Sequence, residues 1–313
     1  MAIIQPEEMD FRDKKFSMII SGPPGIGKTT LALSAPNPIL VDFDGGVSRV
    51  AARHRKTTIS IERYEELLSD MESPAFQEAE TVVLDTGGSL ITYLQDWAMR
   101  QNPSQNRKKG GGISMQGFGA VKAEFIRLTN ELKTIQGKNI IYIFHTVEEK
   151  DKDNTRQRLM CEGSARNIVW QPCDLGCFLQ IVDGERYMGF SPTEAYFAKG
   201  CYGIHGLIRV PQLEEDVPND LLTHLFAAAR ENIAKETQQY GQAREAYEQA
   251  MAAGRALVGE VEDGPSATGA MGKIKAIPHA LTSEREVKAL FSARVKELGL
   301  VWNKEARQYE RRD

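Results

Sequence analysis

The stretch Gly22-Pro23-Pro24-Gly25-Ile26-Gly27-Lys28-Thr29 decides the fold of this 313-residue chain. It matches the pattern G-x-x-x-x-G-K-[ST] in full, between the apolar segment FSMIIS at 16–21 and a helical segment. Glycines at these positions let backbone N–H groups turn inward around phosphates. We therefore expect Gly22–Thr30 to bind ATP, with Lys28 on the β- and γ-phosphates and the Thr29 hydroxyl on Mg²⁺.

A second apolar segment, TVVLD at 81–85, ends in a carboxylate. Such a strand delivers its last side chain to the Mg²⁺ beside the phosphates, so Asp85 is the second expected metal ligand. Thr86 follows, and its hydroxyl cannot take a proton from water. The segment LVDFD at 40–44 offers carboxylates instead, and it resembles the strand on which the RecA class places its catalytic carboxylate, two residues beyond a similar Asp. This resemblance implies that Asp44 is the general base and Asp42 a supporting or structural group.

Strands and helices alternate through the first 150 residues. Apolar strands are predicted at 16–21, 38–43, 81–84 and 139–144, and helices at 60–72, 88–100 and 118–136. This alternation predicts an α/β fold with a mostly parallel central sheet flanked by helices. Residues 101–117 are expected to form a mobile loop, and DKDNTRQR at 151–158 a charged loop. Short strands at 175–182, 186–190 and 204–209 are predicted to add an antiparallel edge.

In the C-terminal third the alternation of strands and helices ends. The core is expected to span residues 1–258 and to end in a long helix over 219–257, followed by a linker at 259–281 that is rich in Gly, Pro and Ser. Residues 282–313 are predicted to fold separately as a small helical unit, with Trp302 and Tyr309 as its apolar anchors.

The composition indicates a soluble globular protein, with 41% hydrophobic and 26% charged residues. Neither a run of about 18 apolar residues nor a signal-peptide order is apparent, so a cytoplasmic location without membrane contact is expected. The net charge of −4 argues against a uniformly basic coat for nucleic acid but is compatible with a local basic patch. Cys173 and Cys177 fit buried thiols better than a zinc site, because neither a CxxC pair nor a histidine cluster accompanies them.

Several segments together resemble the phage nucleotide-binding proteins with a RecA-like AAA domain, a family that includes the Sak-type single-strand annealing proteins. The matching segments are GPPGIGKTTLA, LVDFDGG, VVLDT, SMQGFGAVKAEF, IIYIFHT and AYFAKGCYG, and the resemblance covers about residues 14–210. It implies a RecA-like P-loop fold, ATPase activity with ATP and Mg²⁺, and self-association into a ring or filament. If the chain is encoded by a phage, its location is the cytoplasm of the bacterial host.

The resemblance also implies roles for single residues. His145 ends IIYIFHT, where the family holds a sensor of the γ-phosphate; the alternative is a hydrogen-bonded histidine at a strand end. Lys199 would act on the ATP of a neighbouring subunit, supported by Arg186, although Cys201 replaces the second basic residue of that strand. A solvated surface lysine is the alternative for Lys199. The catalytic set expected is Lys28, Asp44, Asp85, His145 and Lys199.

Two loops are expected to bind single-stranded DNA, because RecA-like proteins use the loops after the third and fourth strands. Basic residues neutralise phosphates and an apolar side chain can stack on bases. The candidates are Arg100, Arg107, Lys108, Lys109, Met115 and Phe118 in the first loop, and Lys150, Lys152, Arg156, Arg158 and Arg166 in the second. Two solvated loops without a ligand are the alternative.

The expected function is that of an ATP-hydrolysing RecA-like phage protein acting on single-stranded DNA in recombination, annealing or replication. The alternative is an ATP-dependent assembly or partner-loading factor that does not touch DNA. A kinase-like phosphotransferase is the weakest candidate, because neither a lid nor an acceptor site is apparent. The 282–313 unit is a candidate for recruiting a single-strand-binding protein.

Overall fold

The structure, a computed structural model, describes residues 9–151, 154–161 and 168–311. The chain divides into two compact units, one over Phe11–Asn232 and the other from Ile233 onward. Within the described residues, none of the helices combines the length and the apolar composition that a membrane span requires.

The first unit is built on a nine-stranded sheet with the order β3-β2-β4-β5-β1-β7-β8-β9, in which β6 also pairs with β5. Its strands are β1 Ser17–Gly22, β2 Pro38–Asp42, β3 Thr58–Ser60, β4 Thr81–Asp85, β5 Asn139–Asp151, β6 Asn154–Leu159, β7 Leu175–Val182, β8 Glu185–Gly189 and β9 Leu207–Arg209. The pairs from β3 to β7 are parallel, and β8 and β9 continue the sheet antiparallel.

Helices flank this sheet in the described part of the first unit. They are α1 Lys28–Ala32, α2 Tyr64–Asp70, α3 Pro74–Glu78, α4 Gly87–Gln101, α5 Pro103–Asn106 and α6 Met115–Asn130. Strands β1, β2 and β4 are buried along their whole length, as expected for parallel strands covered on both faces. Alternate strand residues such as Ile19, Val82 and Tyr142 pack with α2, α4 and α6 in one apolar core. The predicted α/β fold and its antiparallel edge are confirmed.

Two predicted loops are more ordered than their composition suggested. Within 101–117, Asn102 caps the short helix α5, and a turn joins Arg107 to Ile113 by a bridge. Helix α6 begins at Met115 because the Ser114 hydroxyl accepts from the Gly117 N–H group. The charged segment at 151–158 was predicted to be a loop, and this was wrong for its described residues: β5 ends at Asp151, β6 begins at Asn154, and the two strands pair in an antiparallel hairpin.

One ion pair and one side-chain hydrogen bond add to the backbone pairing of the hairpin. Arg158 lies 3.7 Å from Glu149, and Gln157 donates to Glu148 across the strands. A run of polar residues therefore predicted a loop, although these residues form paired strands. Lys152 and Arg166, two of the expected DNA-binding residues, lie outside the described residues.

The second unit differs from the expected linker and tail. The predicted long helix is present as α7 Leu221–Gly259, which starts in the first unit, and α8 Gly264–Lys275, α9 Ser283–Glu297 and the hairpin of β10 Leu300–Asn303 and β11 Gln308–Arg311 follow. The linker prediction was wrong for 264–275, where Asp263 caps a helix that buries Ala267, Ala270 and Ile274. These side chains share one core with Phe291 and Tyr309, so the tail packs on the segment that was expected to be a linker.

Candidate functional site

The segment Gly22–Thr29, called here the phosphate loop, connects β1 to α1 and encloses the side chain of Lys28. The Lys28 ammonium donates to the carbonyl oxygens of Gly22 (3.0 Å) and Pro23 (2.8 Å) and lies 3.1 Å from His145 Nδ1. Burial lowers the pKa of Lys28 to about 8, although the charge of Asp85 acts in the opposite direction. The ammonium is thus held by neutral acceptors that an anionic ligand can replace.

Two glycines give the phosphate loop its shape. Gly25 and Gly27 have φ angles of +79° and +94°, which L-residues with a side chain rarely adopt. A Cβ atom at Gly27 would lie 2.7 Å from Nη1 of Arg186 on β8. The guanidinium therefore lies against the phosphate loop of its own chain, whereas the sequence suggested that Arg186 would serve a neighbouring subunit.

Asp85 ends β4 and faces the first residues of α1. The Thr29 hydroxyl donates to Asp85 Oδ2 at 2.6 Å. Burial raises the pKa of Asp85, and the negative charges of Asp42 and Asp44 raise it further. The hydrogen bond from Thr29 and the positive charge of Lys28 act in the opposite direction. A hydroxyl and a carboxylate crowded by other carboxylates suit Mg²⁺, which prefers oxygen ligands and supplies the missing positive charge. The two expected metal ligands therefore fit the ion.

Asp42 and Asp44 have different surroundings although they are two residues apart. Asp42 is buried and accepts backbone N–H groups of Asp44, Gly46 and Val47, at 3.2, 2.9 and 2.8 Å. It therefore holds the turn after β2. Asp44 is exposed, and its carboxylate has a weak hydrogen bond of 3.5 Å from the Thr86 hydroxyl. Of the two, Asp44 is the carboxylate that can meet water.

His145 reaches the site because β5 lies between β1 and β4, and His145 pairs with Gly22 in register. Burial lowers the pKa of His145, the charges of Lys28 and Arg49 lower it further, and Asp44 opposes them. The imidazole is therefore neutral and can accept a hydrogen bond from the Lys28 ammonium. Such contact lets His145 respond when Lys28 exchanges partners.

Arg49 is a charged neighbour of the site that the sequence reasoning missed. It lies in the short 3-10 turn Gly46–Arg49 after β2, and its side chain is exposed. Its position seven residues after Asp42, in the turn that Asp42 holds, is the signal that could have indicated it. Together Arg49 and Arg186 give the single chain two arginines near the phosphate loop.

Lys199 lies elsewhere in its own chain. Its backbone pairs with Gly176 of β7, and its ammonium donates to the Cys173 carbonyl oxygen at 2.5 Å. Cys173 precedes β7, so this contact lies toward the amino end of the parallel strands and away from the phosphate loop. Lys199 is therefore absent from the site that one chain forms, and its action on a neighbouring subunit stays a prediction.

The expected DNA-binding residues are divided between two places. Arg107, Lys108 and Lys109 are exposed in the turn that closes the first loop. Phe118, on α6, lines an open cleft of about 770 Å³ together with Asp44 and His145. Arg156 and Arg158 lie on β6 of the hairpin that continues from His145. Parts of both expected DNA-binding segments thus lie at the end of the sheet that holds the phosphate loop.

Cys173 and Cys177 are buried. The Cys173 thiol donates to the Val169 carbonyl oxygen at 3.1 Å, and burial raises the pKa of this thiol to about 12. Burial also raises the pKa of Cys177. Among the residues that the structure describes, no group of three or more His, Cys, Asp or Glu side chains could hold a metal ion.

Comparison with known proteins gives a family for most of this unit. The sequence profile of the AAA domain family matches residues 14–202, more than half of the chain. A search of curated proteins finds no match. Among solved structures, the chain is similar to the flagellar accessory protein FlaH from Methanocaldococcus jannaschii, with 13% identity and a TM-score of 0.31 over 63% of this chain and 90% of that chain.

Proposed function

The chain belongs to the AAA domain family of P-loop NTPases, and we propose that it hydrolyses ATP with Mg²⁺ and acts on single-stranded DNA in phage recombination, annealing or replication. One observation carries the proposal. Lys28, Thr29, Asp85 and His145 form one connected set at the carboxyl end of the sheet, with Asp44 beside it. In this proposal these five residues supply the cation, the metal ligands, the γ-phosphate sensor and the base for phosphoryl transfer to water.

Each residue has a distinct task in this proposal. Lys28 exchanges the Gly22 and Pro23 carbonyl oxygens for phosphate oxygens. Thr29 and Asp85 would hold Mg²⁺, which would neutralise charge on the phosphates when bound. Asp44 accepts a proton from the attacking water and orients it, and Asp is one carbon shorter than the Glu of the RecA class, so turnover is expected to be slow. His145 follows the position of the Lys28 ammonium.

The case for DNA comes from what surrounds this set. The hairpin of β5 and β6 starts at the His145 end of β5 and carries Arg156 and Arg158. The turn with Arg107, Lys108 and Lys109 precedes α6, and Phe118 of that helix lines the cleft at Asp44. Phe118 in the cleft can stack on an exposed base, and the basic residues of the turn and of the hairpin can contact phosphates of the same strand.

Oligonucleotide anisotropy at two salt concentrations tests the DNA arm. Replacing Arg107, Lys108 and Lys109 together with Ala should weaken binding and flatten its salt dependence, because each lost phosphate contact removes roughly one released counterion. A control variant replaces the exposed Lys273, Lys275 and Lys304 and has the same change in net charge. Equal behaviour of the two variants, or no binding by the parent protein, would contradict DNA binding through this turn.

Subunit mixing tests the expected role of Lys199. The Lys199→Ala protein keeps an intact phosphate loop, and the Lys28→Ala protein keeps an intact Lys199. If Lys199 acts across a subunit seam, mixing the two inactive proteins should restore part of the DNA-stimulated ATP turnover and ATP should promote oligomers. Two proteins that stay inactive together would assign Lys199 to the Cys173 contact within its own chain.

One observation favours the alternative, an ATP-dependent assembly or partner-loading factor. The second unit has its own apolar core, and its β10 strand leaves Val301 and Trp302 partly exposed, with 42% and 38% of their surface accessible. This surface is the proposed contact for a partner such as a single-strand-binding protein. Nucleotide-dependent binding of that partner, combined with no affinity for oligonucleotides, would favour the alternative.

A further inference from the structure

A second cavity lies where the hairpin of β5 and β6 meets β1 and β7. It has a volume of about 260 Å³ and is lined by the aromatic side chains of Trp170, Phe178, Tyr196 and Phe197. Phe178 and Tyr196 stack with ring centroids 4.5 Å apart, and Trp170 lies 5.4 Å from Phe197. Phe197 is 60% exposed although it is a large apolar residue, so one ring at the rim is open to solvent.

Polar groups complete the wall of this pocket. Gln157 and Arg158 of β6 line it, and they offer an amide and a guanidinium. Thr146 also lines the pocket, and its buried hydroxyl oxygen has no hydrogen-bond partner among the residues that the structure describes. A buried hydroxyl without a partner is costly unless a ligand or water completes it.

We propose that this aromatic pocket holds one unstacked base of single-stranded DNA, an inference that rests on the proposed function. The volume accommodates one planar base. The rings provide stacking partners, and the amide, guanidinium and hydroxyl groups can pair with the polar edge of the base. Glu149 also lines the pocket and lies 3.7 Å from Arg158, so the guanidinium would exchange this carboxylate for the adjoining phosphate.

The pocket is connected to the phosphate loop through the backbone. Ser21 and Thr146 line it, and the next residue after Ser21 is Gly22 while the residue before Thr146 is His145. Gly22 and His145 both contact the Lys28 ammonium. A base that shifts Ser21 or Thr146 therefore shifts a partner of Lys28, and by linkage ATP binding should change the affinity for the base.

Oligonucleotides with and without bases test the proposal. The full chain should bind a thymidine oligonucleotide more tightly than an abasic one of equal length and charge, and Phe197→Ala should reduce this preference by about 5-fold or more, since one base stack on an aromatic ring contributes on that scale. The salt dependence should not change, because the phosphate contacts remain. Tyr240→Ala, which removes an exposed aromatic outside the pocket, is the matched control.

Thr146→Val gives a second readout that a structural role would not produce. Removing a buried hydroxyl without a partner should leave the thermal stability of the free protein unchanged or higher, while the preference for the base-bearing oligonucleotide falls. ATP binding by Phe197→Ala confirms that this variant is folded. An intact preference in both variants, or none in the parent, would overturn the pocket and leave DNA binding in place; absence of all DNA binding would overturn both.

Discussion

A largely buried aspartate lies at each end of the parallel strands, and the pKa values of the two carboxyl groups are shifted in opposite directions. At the amino end, Asp174 accepts hydrogen bonds from Ser17, Lys133, Lys14 and Tyr202. Burial alone would raise its pKa, but the hydrogen bonds and charges of these partners lower it. At the carboxyl end, Asp85 has the Thr29 hydroxyl and two neighbouring carboxylates, and its pKa is raised.

Two buried lysines repeat the contrast. Lys138, just before β5, donates to the carbonyl oxygens of Gln77 (3.0 Å) and Ala79 (2.6 Å) beside the Phe76 ring. Lys28 also binds two carbonyl oxygens, but its third neighbour is the titratable His145 and its pocket is a glycine-rich loop. At the amino end, the charged groups of Asp174 and Lys138 have their partners within the protein. At the carboxyl end, Asp85 lies among other carboxylates with too little positive charge to balance them. The end that binds a ligand therefore differs from the end that only stabilises the fold in its lack of positive charge more than in how deeply its residues are buried.

Paired lysine substitutions give the largest expected difference between the two ends. Lys28→Ala should abolish ATP binding and turnover, because the phosphate loop loses its side-chain cation. Lys138→Ala should leave ATP binding intact and lower the free energy of unfolding by about 1–3 kcal/mol, since two buried carbonyl groups lose their donor. Fluorescent-nucleotide titration and urea denaturation measure both. If Lys28→Ala binds ATP like the parent, the claim that the carboxyl end binds nucleotide while the amino end only stabilises the fold would be wrong.

Asp44→Asn should retain ATP binding and lower turnover by about 10²- to 10⁴-fold, because the amide keeps the shape but cannot accept a proton. Phosphate release under saturating ATP is the measurement. Asp42→Asn is the comparison: it should mainly cost stability, because its carboxylate holds three backbone N–H groups. Full turnover in Asp44→Asn would transfer the task of positioning water to another group.

The first unit shows how far local sequence reaches. The strand, loop and helix around Lys28 follow from the motif, and Asp85 and His145 lie near it because parallel strands end at the same edge. The contact of Arg186 with Gly27 could not be predicted, because it depends on β8 folding back antiparallel on β7. The hairpin of β5 and β6 depends on backbone pairing between two strands, which the local sequence does not reveal. Its many charged residues therefore predicted a loop.

The second unit shows a different limit. Residues 264–275 contain Gly264, Pro265, Gly269 and Gly272, and this composition hid the spacing of Ala267, Ala270 and Ile274. Packing with α9 and β11 overrides the weak helix propensity of those residues. Local composition thus predicted a flexible segment where tertiary contacts form a helix.

Asp85→Ala and Asp174→Ala separate the two carboxylates. Asp85→Ala should lower turnover by about 10- to 100-fold at low Mg²⁺ and regain part of it at high Mg²⁺, because one metal ligand is lost. Asp174→Ala should show no Mg²⁺ dependence of this kind and should lower the free energy of unfolding by about 3 kcal/mol, because Lys133 loses a partly buried partner. Equal losses of turnover at every Mg²⁺ concentration would indicate that Asp85 supports the fold instead.

The pH dependence of ATP affinity should show the smallest effect. Below pH 8 the Lys28 ammonium is charged in the free protein, and above its pKa of about 8 ATP binding must take up a proton. Affinity should therefore fall as pH rises, by at most about tenfold per unit. Calorimetry in buffers of different ionisation enthalpy would detect the proton uptake. Constant affinity between pH 7.5 and 9.5 would show that Lys28 is not the group that titrates.

The lengths of the outermost strands have a consequence for assembly. At the two ends of the strand order from β3 to β9, the outermost strands β3 and β9 each have only three residues, and β6 branches from β5 outside this order. Edges this short expose few unpaired backbone groups, which disfavours pairing with a strand of another molecule. They are also poor joints for continuous sheets between molecules. A ring or filament of this chain would consequently rely on contacts between side chains, so single substitutions could tune its disassembly.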